Sequence, residues 1–397
     1  MDAIILAGGF GTRLRPAVSE VPKCMAPVSG KPFLWYLLKY LEGYPVERVV
    51  LSLGYLHEVV EEWVSRNRWP FKVEYSVEDT PLGTGGAIAL ALDNMGPVSG
   101  KVLIINGDTL FNVDLDAFAA SADMPVNIAL RPMADTSRYG RVHLENGTVM
   151  GFREKQPGTS GFINGGVYLI NPETAGLGTI PRPFSFERDY LEKICAEDSG
   201  SGVGGFVSDT YFLDIGIPED WARASRELPL LMSVREASRK AEAFAGAVPE
   251  GRKPALFLDR DGVINILRPD DYVKSWEEFE FVPGILENLR EWAGIFGPII
   301  IVTNQRGVGR GLMPEDALKG IHSEMLSRIR EAGGRIDAIY YCTSIDSEDP
   351  MRKPGTGMFR RALEDFPEIE PGISVMIGDS DSDALFASRC GMSFIRI

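Results

Sequence analysis

Two strand-to-loop motifs that suit phosphate chemistry lie far apart on this chain. The first joins the apolar run Ala3–Leu6 to the glycine-rich loop Gly8–Gly11. The second joins the apolar run Ala255–Leu258 to the acidic sequence Asp259–Gly262. Ligands of open α/β sheets bind beyond the carboxyl ends of the parallel strands. We therefore expect an α/β protein with two doubly wound domains and one site in each.

The length and the alternation of patterns indicate where the domains begin and end. A chain of 397 residues exceeds one ordinary hydrophobic core. Apolar runs typical of strands alternate with amphipathic helical stretches such as Phe33–Leu41, and a second alternating series follows a polar segment broken by proline and glycine, Val248–Pro254. We predict a first domain over 1–232, a helix and linker over 233–254, and a second domain over 255–397.

The overall charge restricts the partners. The formal net charge is −15, so nucleic acid and anionic membranes would repel the chain. No apolar stretch is long enough to span a bilayer, and the first residues lack the basic segment of a signal peptide. The four cysteines have no paired spacing, which is typical of reduced thiols. We expect a cytoplasmic enzyme with small-molecule substrates, no nucleic acid and no membrane; whether it forms a homo-oligomer stays open.

Several motifs follow the first glycine-rich loop in a definite order. They are Pro22–Val28, Pro81–Gly86, Asn106–Asp108, Asn164–Tyr168 and Leu213–Gly216. Backbone N–H groups of the loop, together with Arg13 and Lys23, suit a triphosphate. Taken singly, the loop also fits an ordinary strand-to-helix turn, Asp108 a helix N-cap and Asp214 a surface acid. The combination favours one phosphate site.

In this order the motifs resemble the sugar-1-phosphate nucleotidyltransferases over residues 1 to about 230. Val21–Val28, Gly54–Glu58, Pro81–Gly86 and Ser208–Glu219 resemble the D-glycero-D-manno-heptose 1-phosphate guanylyltransferases in particular. The resemblance implies a Rossmann-like nucleotidyltransferase fold that uses GTP, a heptose phosphate and Mg²⁺.

The same resemblance implies the roles of individual residues. Arg13 would hold the β- and γ-phosphates, and Lys23 would neutralise the α-phosphate. Asp108 and Asp214 would share Mg²⁺. The implied nucleotide-binding residues are Leu6, Ala7, Gly8, Gly9, Gly11, Thr12, Arg13, Lys23, Glu78, Pro81, Gly83, Thr84 and Asp108. The implied sugar and sugar-phosphate contacts are Gly107, Glu154, Lys155, Asn164 and Gly165.

The nucleobase is assigned from Glu78, which lies just before Pro81–Gly86, where the family contacts the base. A carboxylate can accept hydrogen bonds from both N1–H and N2–H of guanine, a pair that adenine does not offer. The residue therefore favours guanine. A similar segment in the muramate-phosphate uridylyltransferases keeps uracil as an alternative.

The acidic motif Asp259–Gly262 begins a second ordered set that continues with Val302–Gln305, Arg352–Pro354 and Gly378–Asp383. A carboxylate just after an apolar strand can attack phosphorus, and a second one two residues on can reach the leaving oxygen. In this order the motifs resemble the haloacid dehalogenase superfamily of phosphotransferases over residues 255–397, with its Rossmannoid fold. They resemble the D,D-heptose 1,7-bisphosphate 7-phosphatases in detail, and histidinol-phosphate phosphatases share much of the pattern.

This second resemblance implies a covalent mechanism. Asp259 would form an aspartyl-phosphate, and Asp261 would protonate the sugar oxygen and later activate water. Thr303 and Lys353 would bind phosphoryl oxygens. Mg²⁺ would be held by Asp259, the carbonyl of Asp261, Asp379 and Asp383, because crowded carboxylates need a cation. The implied substrate contacts are Asn304, Arg310 and Arg352, and the two arginines fit equally well as exposed basic side chains.

The loop before the catalytic lysine departs from the pattern of the related phosphatases. Many of them fold this loop around zinc with three cysteines and a histidine. Here Cys342–Lys353 contains one cysteine and no histidine, whereas structural zinc needs four such ligands. We predict no structural zinc.

The two resemblances describe consecutive reactions. We expect a bifunctional enzyme that removes the 7-phosphate of heptose 1,7-bisphosphate and transfers GMP from GTP to heptose 1-phosphate, giving GDP-heptose and pyrophosphate. One alternative is a uridylyl- or cytidylyltransferase for another sugar 1-phosphate, fused to a sugar-phosphate or histidinol-phosphate-like phosphatase. The other is a nucleotide-sugar sensor with decayed sites, which the intact acidic and basic residues disfavour.

Overall fold

The computed structural model describes residues 1–9, 21–98, 100–153, 158–197 and 202–397. Within these ranges the chain divides into two compact units, Met1–Arg226 and Glu227–Ile397. Each unit has its own sheet with helices, as the predicted α/β class requires. Among the described helices, none combines the length and the apolar character that crossing a membrane demands.

The first unit alternates strands and helices. Its strands are β1 Asp2–Leu6, β2 Pro27–Val28, β3 Lys31–Pro32, β4 Arg48–Leu53, β5 Lys72–Val77, β6 Val102–Asn106, β7 Thr109–Phe111, β8 Val126–Met133, β9 Arg141–Glu145, β10 Thr148–Arg153, β11 Gly161–Ile170, β12 Val203–Val207 and β13 Phe212–Asp214. Its helices are α1 Phe33–Leu41, α2 His57–Ser65, α3 Gly83–Met95, α4 Leu115–Ser121, α5 Pro172–Ala175 and α6 Glu192–Glu197, with a π-helical segment Phe186–Leu191.

The main sheet of the first unit places β1 at its centre. Within the described residues it has nine strands, in the order β5-β4-β1-β6-β11-β8-β12-β10-β9. Ala3, Ile4 and Ile5 are fully buried, because parallel neighbours flank β1 on both sides and helices cover the sheet. β11 runs antiparallel to β6 and β8, so the sheet is mixed. The carboxyl ends of β1 and β6 lie side by side.

A short antiparallel ribbon brings two distant acidic residues together. β7 pairs with β13, with Asp214 opposite Thr109. The Ile215 N–H donates to the Asp108 carbonyl at 3.0 Å. Asp108 and Asp214 therefore meet because the ribbon fixes their register.

The second unit is a parallel sheet with helices. It contains β14 Leu256–Leu258, β15 Ile299–Asn304, β16 Ala338–Cys342, β17 Val375–Gly378 and β18 Ser393–Arg396. The helices that follow Pro254 are α8 Ile285–Ile295, α9 Arg306–Gly309, α10 Glu315–Glu331, α11 Gly357–Asp365 and α12 Asp381–Cys390. The strand order is β16-β15-β14-β17-β18, with every pair parallel. The motif segments at the carboxyl ends of β14, β15 and β17 therefore lie next to one another.

The segment expected as helix and linker is largely helical. Helix α7 spans Pro218–Gly246, and its Val234 and Ala237 are buried in the core of the second unit. The Asn288 amide donates to the Val234 carbonyl at 3.2 Å, and the Trp292 indole donates to Ser238 Oγ at 3.0 Å. From Glu227 onward this helix therefore belongs to the second unit.

Candidate active sites

The first unit has a cavity of about 310 Å³ at the carboxyl ends of β1 and β6. Most of the predicted nucleotide-binding residues line it, together with the predicted Gly107: Leu6, Ala7, Gly8, Gly9, Lys23, Glu78, Pro81, Gly83, Thr84 and Asp108. Its lining also includes residues that were not among the predicted contacts, namely Cys24 and Asn106, which lie within the predicted motifs, and Ser52 and Ala87. The predicted Gly11, Thr12, Arg13, Glu154 and Lys155 lie outside the described residues.

Lys23 lies between two carboxylates at this cavity. Its ammonium forms an ion pair with Asp108, and its Nζ is 3.9 Å from Asp214 Oδ1. The lysine side chain is 13% exposed, whereas that of Asp108 is 34% exposed. Converging carboxylates supply the hard oxygen ligands that Mg²⁺ prefers, so the two acids fit this ion. The lysine compensates their charge in the free protein.

Two glycines allow the backbone to approach closely around the cavity. A Cβ on Gly107 would lie 2.5 Å from the Leu6 carbonyl oxygen, and one on Gly8 would lie 2.8 Å from Glu78 Oε1. Gly107 therefore requires glycine, because the obstructing atom belongs to the backbone, whereas a larger residue at Gly8 would displace the Glu78 carboxylate. The Glu78 carboxylate consequently lies directly against the first turn of the phosphate loop.

Glu78 also holds the start of α3. Its Oε2 accepts a hydrogen bond from the Leu82 N–H at 2.9 Å. Burial raises the pKa of Glu78, and the Leu82 hydrogen bond partly opposes this effect. The carboxylate thus connects the phosphate loop to the segment that the sequence assigned to the base.

Asn164 and Gly165 lie on β11, not among the described lining of the first cavity. The pairing of β11 with β8 changes register between Asn164 and Tyr168, as at a β-bulge. A second cavity of about 270 Å³ borders Asp214 and is lined in part by Arg131, Arg138 and Arg223. Asp135 and Asp220 also line this cavity, so its charges are mixed, and nothing in the sequence motifs predicted it.

The second unit gathers its acids around one buried lysine. Lys353 Nζ is 2.9 Å from Asp259 Oδ1 and 2.5 Å from Asp383 Oδ1. The side chain of Lys353 is 1% exposed. Burial alone would lower the pKa of Lys353, but Asp259 and Asp383 outweigh it and raise that pKa. Burial raises the pKa of Asp259 to about 7, although the Lys353 charge acts against this.

The acidic group fits a divalent cation. One carboxylate oxygen from each of Asp259, Asp379 and Asp383 lies within 4.8 Å of the others. Burial and the charge of Asp383 raise the pKa of Asp379, a cost that a cation would remove. Gly262 has φ +88°, and a Cβ there would overlap the Asp379 carboxylate. Asp379 therefore lies against the backbone that carries the Asp261 carbonyl, the predicted backbone ligand.

Asp383 is also the anchor of Lys353. Its Oδ1 accepts from the Lys353 ammonium, and its Oδ2 accepts from Ser380 Oγ at 2.6 Å. The carboxylate is fully buried within a capping box at the start of α12. Both of its oxygens are therefore already engaged by the protein.

Asp261 is held by three side-chain donors. Arg260 Nη2 donates to its two oxygens at 2.8 and 3.0 Å, Asn265 donates at 3.0 Å and Gln305 at 2.7 Å. Burial would raise the pKa of Asp261, but the Arg260 charge and these hydrogen bonds outweigh it and lower the pKa. The carboxylate is thus fixed in orientation and favoured in its ionised form.

The site prediction missed the residues that orient Asp261. Arg260 is fully buried, and its Nη1 lies 3.2 Å from His322 Nε2. Gln305 Nε2 also donates to Thr303 Oγ1 at 2.9 Å. Arg260 and Gln305 are adjacent to predicted residues in the motifs, whereas His322 is on α10 and carried no sequence signal for this contact.

Arginine side chains line the cavity that contains these acidic residues. The cavity has a volume of about 670 Å³, and its lining includes Arg268, Arg306, Arg310 and Arg352. Arg310 lies over the Tyr272 ring at 5.9 Å, and Arg352 donates to the Ile345 carbonyl at 2.9 Å. Asp270 and Asp271 also line this cavity, so its entrance carries both signs of charge, with arginine in excess.

The predicted substrate contact Asn304 holds the lysine segment. Its amide donates to the Lys353 carbonyl at 3.1 Å and accepts from the Lys353 N–H at 2.9 Å. In the preceding loop, Asp349 Oδ1 accepts from the Met351 N–H at 2.8 Å, and Cys342 is buried. Asn304 therefore positions the backbone from which the Lys353 side chain extends.

Comparisons with known proteins agree with this division. Residues 2–229 match the family described as nucleotidyl transferase, and residues 350–397 match the HAD-hydrolase-like family. The chain is 45% identical to a D-glycero-alpha-D-manno-heptose 1-phosphate guanylyltransferase from Aneurinibacillus thermoaerophilus over 231 residues, which cover 57% of this chain and 98% of that protein.

Solved structures are similar to the first unit. HddC from Yersinia pseudotuberculosis is 37% identical with a TM-score of 0.51, over 57% of this chain and 98% of its own. The same protein has been crystallised in complex with GMP-PN, and that structure has a TM-score of 0.50. The chain belongs to the nucleotidyl transferase family and carries, after that domain, a HAD-hydrolase-like phosphatase unit.

Proposed function

We propose that this chain is a bifunctional cytoplasmic enzyme that makes GDP-D-glycero-D-manno-heptose. The second unit removes the 7-phosphate of heptose 1,7-bisphosphate, and the first unit joins the resulting heptose 1-phosphate to GMP from GTP. The observation that carries the proposal is the cavity beside Lys23, Asp108 and Glu78, in a domain 45% identical to a heptose 1-phosphate guanylyltransferase.

The first unit positions two anions for direct transfer. An oxygen of the sugar phosphate attacks the α-phosphorus, and the bond to the β-phosphate breaks to release pyrophosphate. Asp108 and Asp214 would hold Mg²⁺, which compensates the charge on the phosphate oxygens. Lys23 turns from Asp108 to the α-phosphate, where its charge is most useful as the bond breaks. The substrate supplies the nucleophile, so the protein contributes orientation and charge.

The second unit uses a nucleophile of its own. Asp259 attacks the 7-phosphorus and forms an aspartyl-phosphate, while the sugar oxygen leaves with a proton that Asp261, ionised in the free protein, takes up when the anionic substrate binds. Asp261 then takes a proton from water, which attacks the aspartyl-phosphate and releases phosphate. Lys353 and Thr303 bind the phosphoryl oxygens. Mg²⁺, held mainly by Asp259 and Asp379, would compensate the crowded negative charge.

Guanine is the base that the first site supports best. Glu78 lines the cavity, and its Oε2 keeps one hydrogen bond to Leu82. A carboxylate oxygen accepts more than one hydrogen bond, so both can face N1–H and N2–H of guanine. The similarity to HddC, a protein crystallised with GMP-PN, supports the same base.

One assay tests the whole proposal. The full chain is incubated with heptose 1,7-bisphosphate, Mg²⁺ and one of GTP, ITP, UTP, CTP or ATP, and the nucleotide sugar is identified by mass. We expect phosphate release in every reaction and a nucleotide sugar with GTP. A product formed preferentially with UTP or CTP would refute the guanylyl assignment, and no turnover in either half would restore the sensor alternative.

A further inference from the structure

His322 is a polar residue on the buried face of α10. Leu318, Ile321 and Met325 share that face and belong to the core of the second unit. His322 is buried with them, and its ring meets the Tyr341 ring edge-on, with the centroids 5.6 Å apart. Burying an imidazole costs free energy unless the ring is hydrogen-bonded. The hydrogen-bond partner of the ring therefore indicates its role.

That partner is the guanidinium of Arg260. Arg260 Nη1 lies 3.2 Å from His322 Nε2, and the Arg260 side chain is 1% exposed. A guanidinium is always charged and has only donors, so Nε2 is the acceptor and the imidazole is neutral, with its proton on Nδ1. Burial and the Arg260 charge lower the pKa of His322 to about 3, which agrees with a neutral ring. His322 therefore accepts from Arg260 throughout the ordinary pH range.

The same guanidinium holds Asp261 through one nitrogen. Arg260 Nη2 donates to both Asp261 oxygens, at 2.8 and 3.0 Å, whereas Nη1 is engaged by His322. The backbone of Arg260 is fixed as well, because its N–H donates to Asp259 Oδ1 at 2.7 Å and its carbonyl accepts from the Ile264 N–H at 2.8 Å. Rotation of the guanidinium is the main freedom that remains, and the bond to His322 restricts it.

Removing the acceptor would change how Arg260 meets Asp261. Arginine and a carboxylate commonly form a parallel pair in which two nitrogens face two oxygens. With Nη1 released from His322, the guanidinium is free to turn toward that arrangement. Asp261 would then lose its alignment with Asn265 and Gln305, which donate to it at 3.0 and 2.7 Å. Proton transfer depends steeply on such alignment.

We propose that His322 is a positioning residue of the phosphatase that acts on Asp261 through Arg260; this inference rests on the proposed phosphatase function. Within residues 202–397, which the structure describes in full, His322 is not among the residues that line the cavity. Its effect on the reaction therefore passes through the guanidinium. Its loss should slow proton transfer by Asp261 and leave substrate binding nearly unchanged.

Steady-state kinetics on the full chain test this role. Phosphate release from heptose 1,7-bisphosphate with Mg²⁺ is measured for the unmodified protein, His322→Phe and His322→Gln. Phenylalanine keeps a ring against Tyr341 but offers no acceptor, so we expect kcat to fall about tenfold with KM within about twofold of its normal value. The glutamine oxygen can take the place of Nε2, so we expect its kcat to stay within about threefold of the unmodified value.

Two further substitutions separate positioning from general damage. Tyr341→Phe removes the hydroxyl that donates to Glu315 Oε1 at 2.8 Å but keeps the ring beside His322, and it should leave kcat unchanged. Asp261→Asn removes the carboxylate on which His322 acts, so adding His322→Phe should change the residual kcat by less than about twofold. General damage to the site would lower kcat by about the same factor in both backgrounds.

Five results would overturn the proposal. They are an unchanged kcat in folded His322→Phe, a loss that His322→Gln does not restore, a rise in KM in place of the fall in kcat, an equal fall for Tyr341→Phe, and an equal loss in the Asp261→Asn background. If His322→Phe does not fold, as judged by thermal unfolding, His322→Leu takes its place.

The unmodified protein distinguishes this inference from the proposed function. If it releases no phosphate from heptose 1,7-bisphosphate, the phosphatase proposal fails and the role of His322 fails with it. If it releases phosphate and the His322 variants give any of the five results, the phosphatase stands and only the positioning role is refuted.

Discussion

The two candidate sites solve the problem of handling phosphate in opposite ways. In the first, Lys23 is partly exposed, and the cavity lining includes the glycines Gly8, Gly9, Gly83 and Gly107. In the second, Lys353 is buried, and a network of side chains holds each predicted catalytic group before any ligand arrives. The difference follows from the proposed chemistry, because a transferase orients two external anions, whereas a phosphatase must present its own nucleophile at a fixed position.

The largest effect is expected from Asp259, the proposed nucleophile of the second unit. Asp259→Asn should reduce phosphate release from heptose 1,7-bisphosphate by a factor on the order of 10⁴ or more, since the neutral amide cannot form the acyl-phosphate. Pyrophosphate formation from GTP and supplied heptose 1-phosphate should be unchanged. Both activities are measured on the same preparation. Loss of both in a folded protein would contradict the presence of two separate sites.

The next largest effect is expected from Lys23 in the site of the first unit. Lys23→Ala should lower the turnover of guanylyl transfer on the order of 10²-fold or more, because the charge aimed at the α-phosphate is removed. Phosphate release should keep its normal rate, which serves as the internal control. Near-normal transfer would mean that the Pro-Lys motif has another role, such as compensating the charge of Asp108 in the free protein.

The sequence predicted the parts of both sites that come directly from strand ends. Helix α1 was predicted as Phe33–Leu41 and has those bounds. Its apolar residues follow the spacing of a helix, and Pro32 directly precedes its first residue. Asp259 and Thr303 were found because each lies at the carboxyl end of a buried strand of the second sheet. Local sequence patterns are therefore sufficient to predict helix bounds and residues at strand ends.

Contacts between residues far apart in the chain could not be predicted in the same way. His322 reaches Arg260 from α10, and Glu187 reaches Thr84 from a π-helical segment. A single histidine or glutamate on a helix is usually a surface or packing residue. Its partner depends on how the sheet and helices pack, which no local spacing encodes.

A smaller effect is expected from the side chains that orient Asp261. Gln305→Leu keeps the approximate shape but removes the amide that donates to Asp261 and Thr303. We expect kcat for phosphate release to fall about tenfold to 10²-fold through misorientation of Asp261, with a smaller change in KM. The transferase rate is the control. An unchanged kcat would show that Arg260 and Asn265 suffice to orient Asp261.

The smallest effect concerns the base contact of the open site, where one carboxylate has two tasks. If Glu78 accepts from guanine N1–H and N2–H, the protein should use ITP less well than GTP, because ITP lacks the N2 amino group. Glu78→Gln should reduce the preference for GTP over ITP, because the amide nitrogen would then face a donor of the base. Competition between GTP and ITP at equal concentration, before and after the substitution, measures the change, for which we expect about tenfold. Thermal unfolding is needed as a control, because the introduced amide must still accept from the Leu82 N–H to hold α3. Equal use of GTP and ITP by the unmodified protein would remove Glu78 as the guanine contact and leave it with the structural task alone.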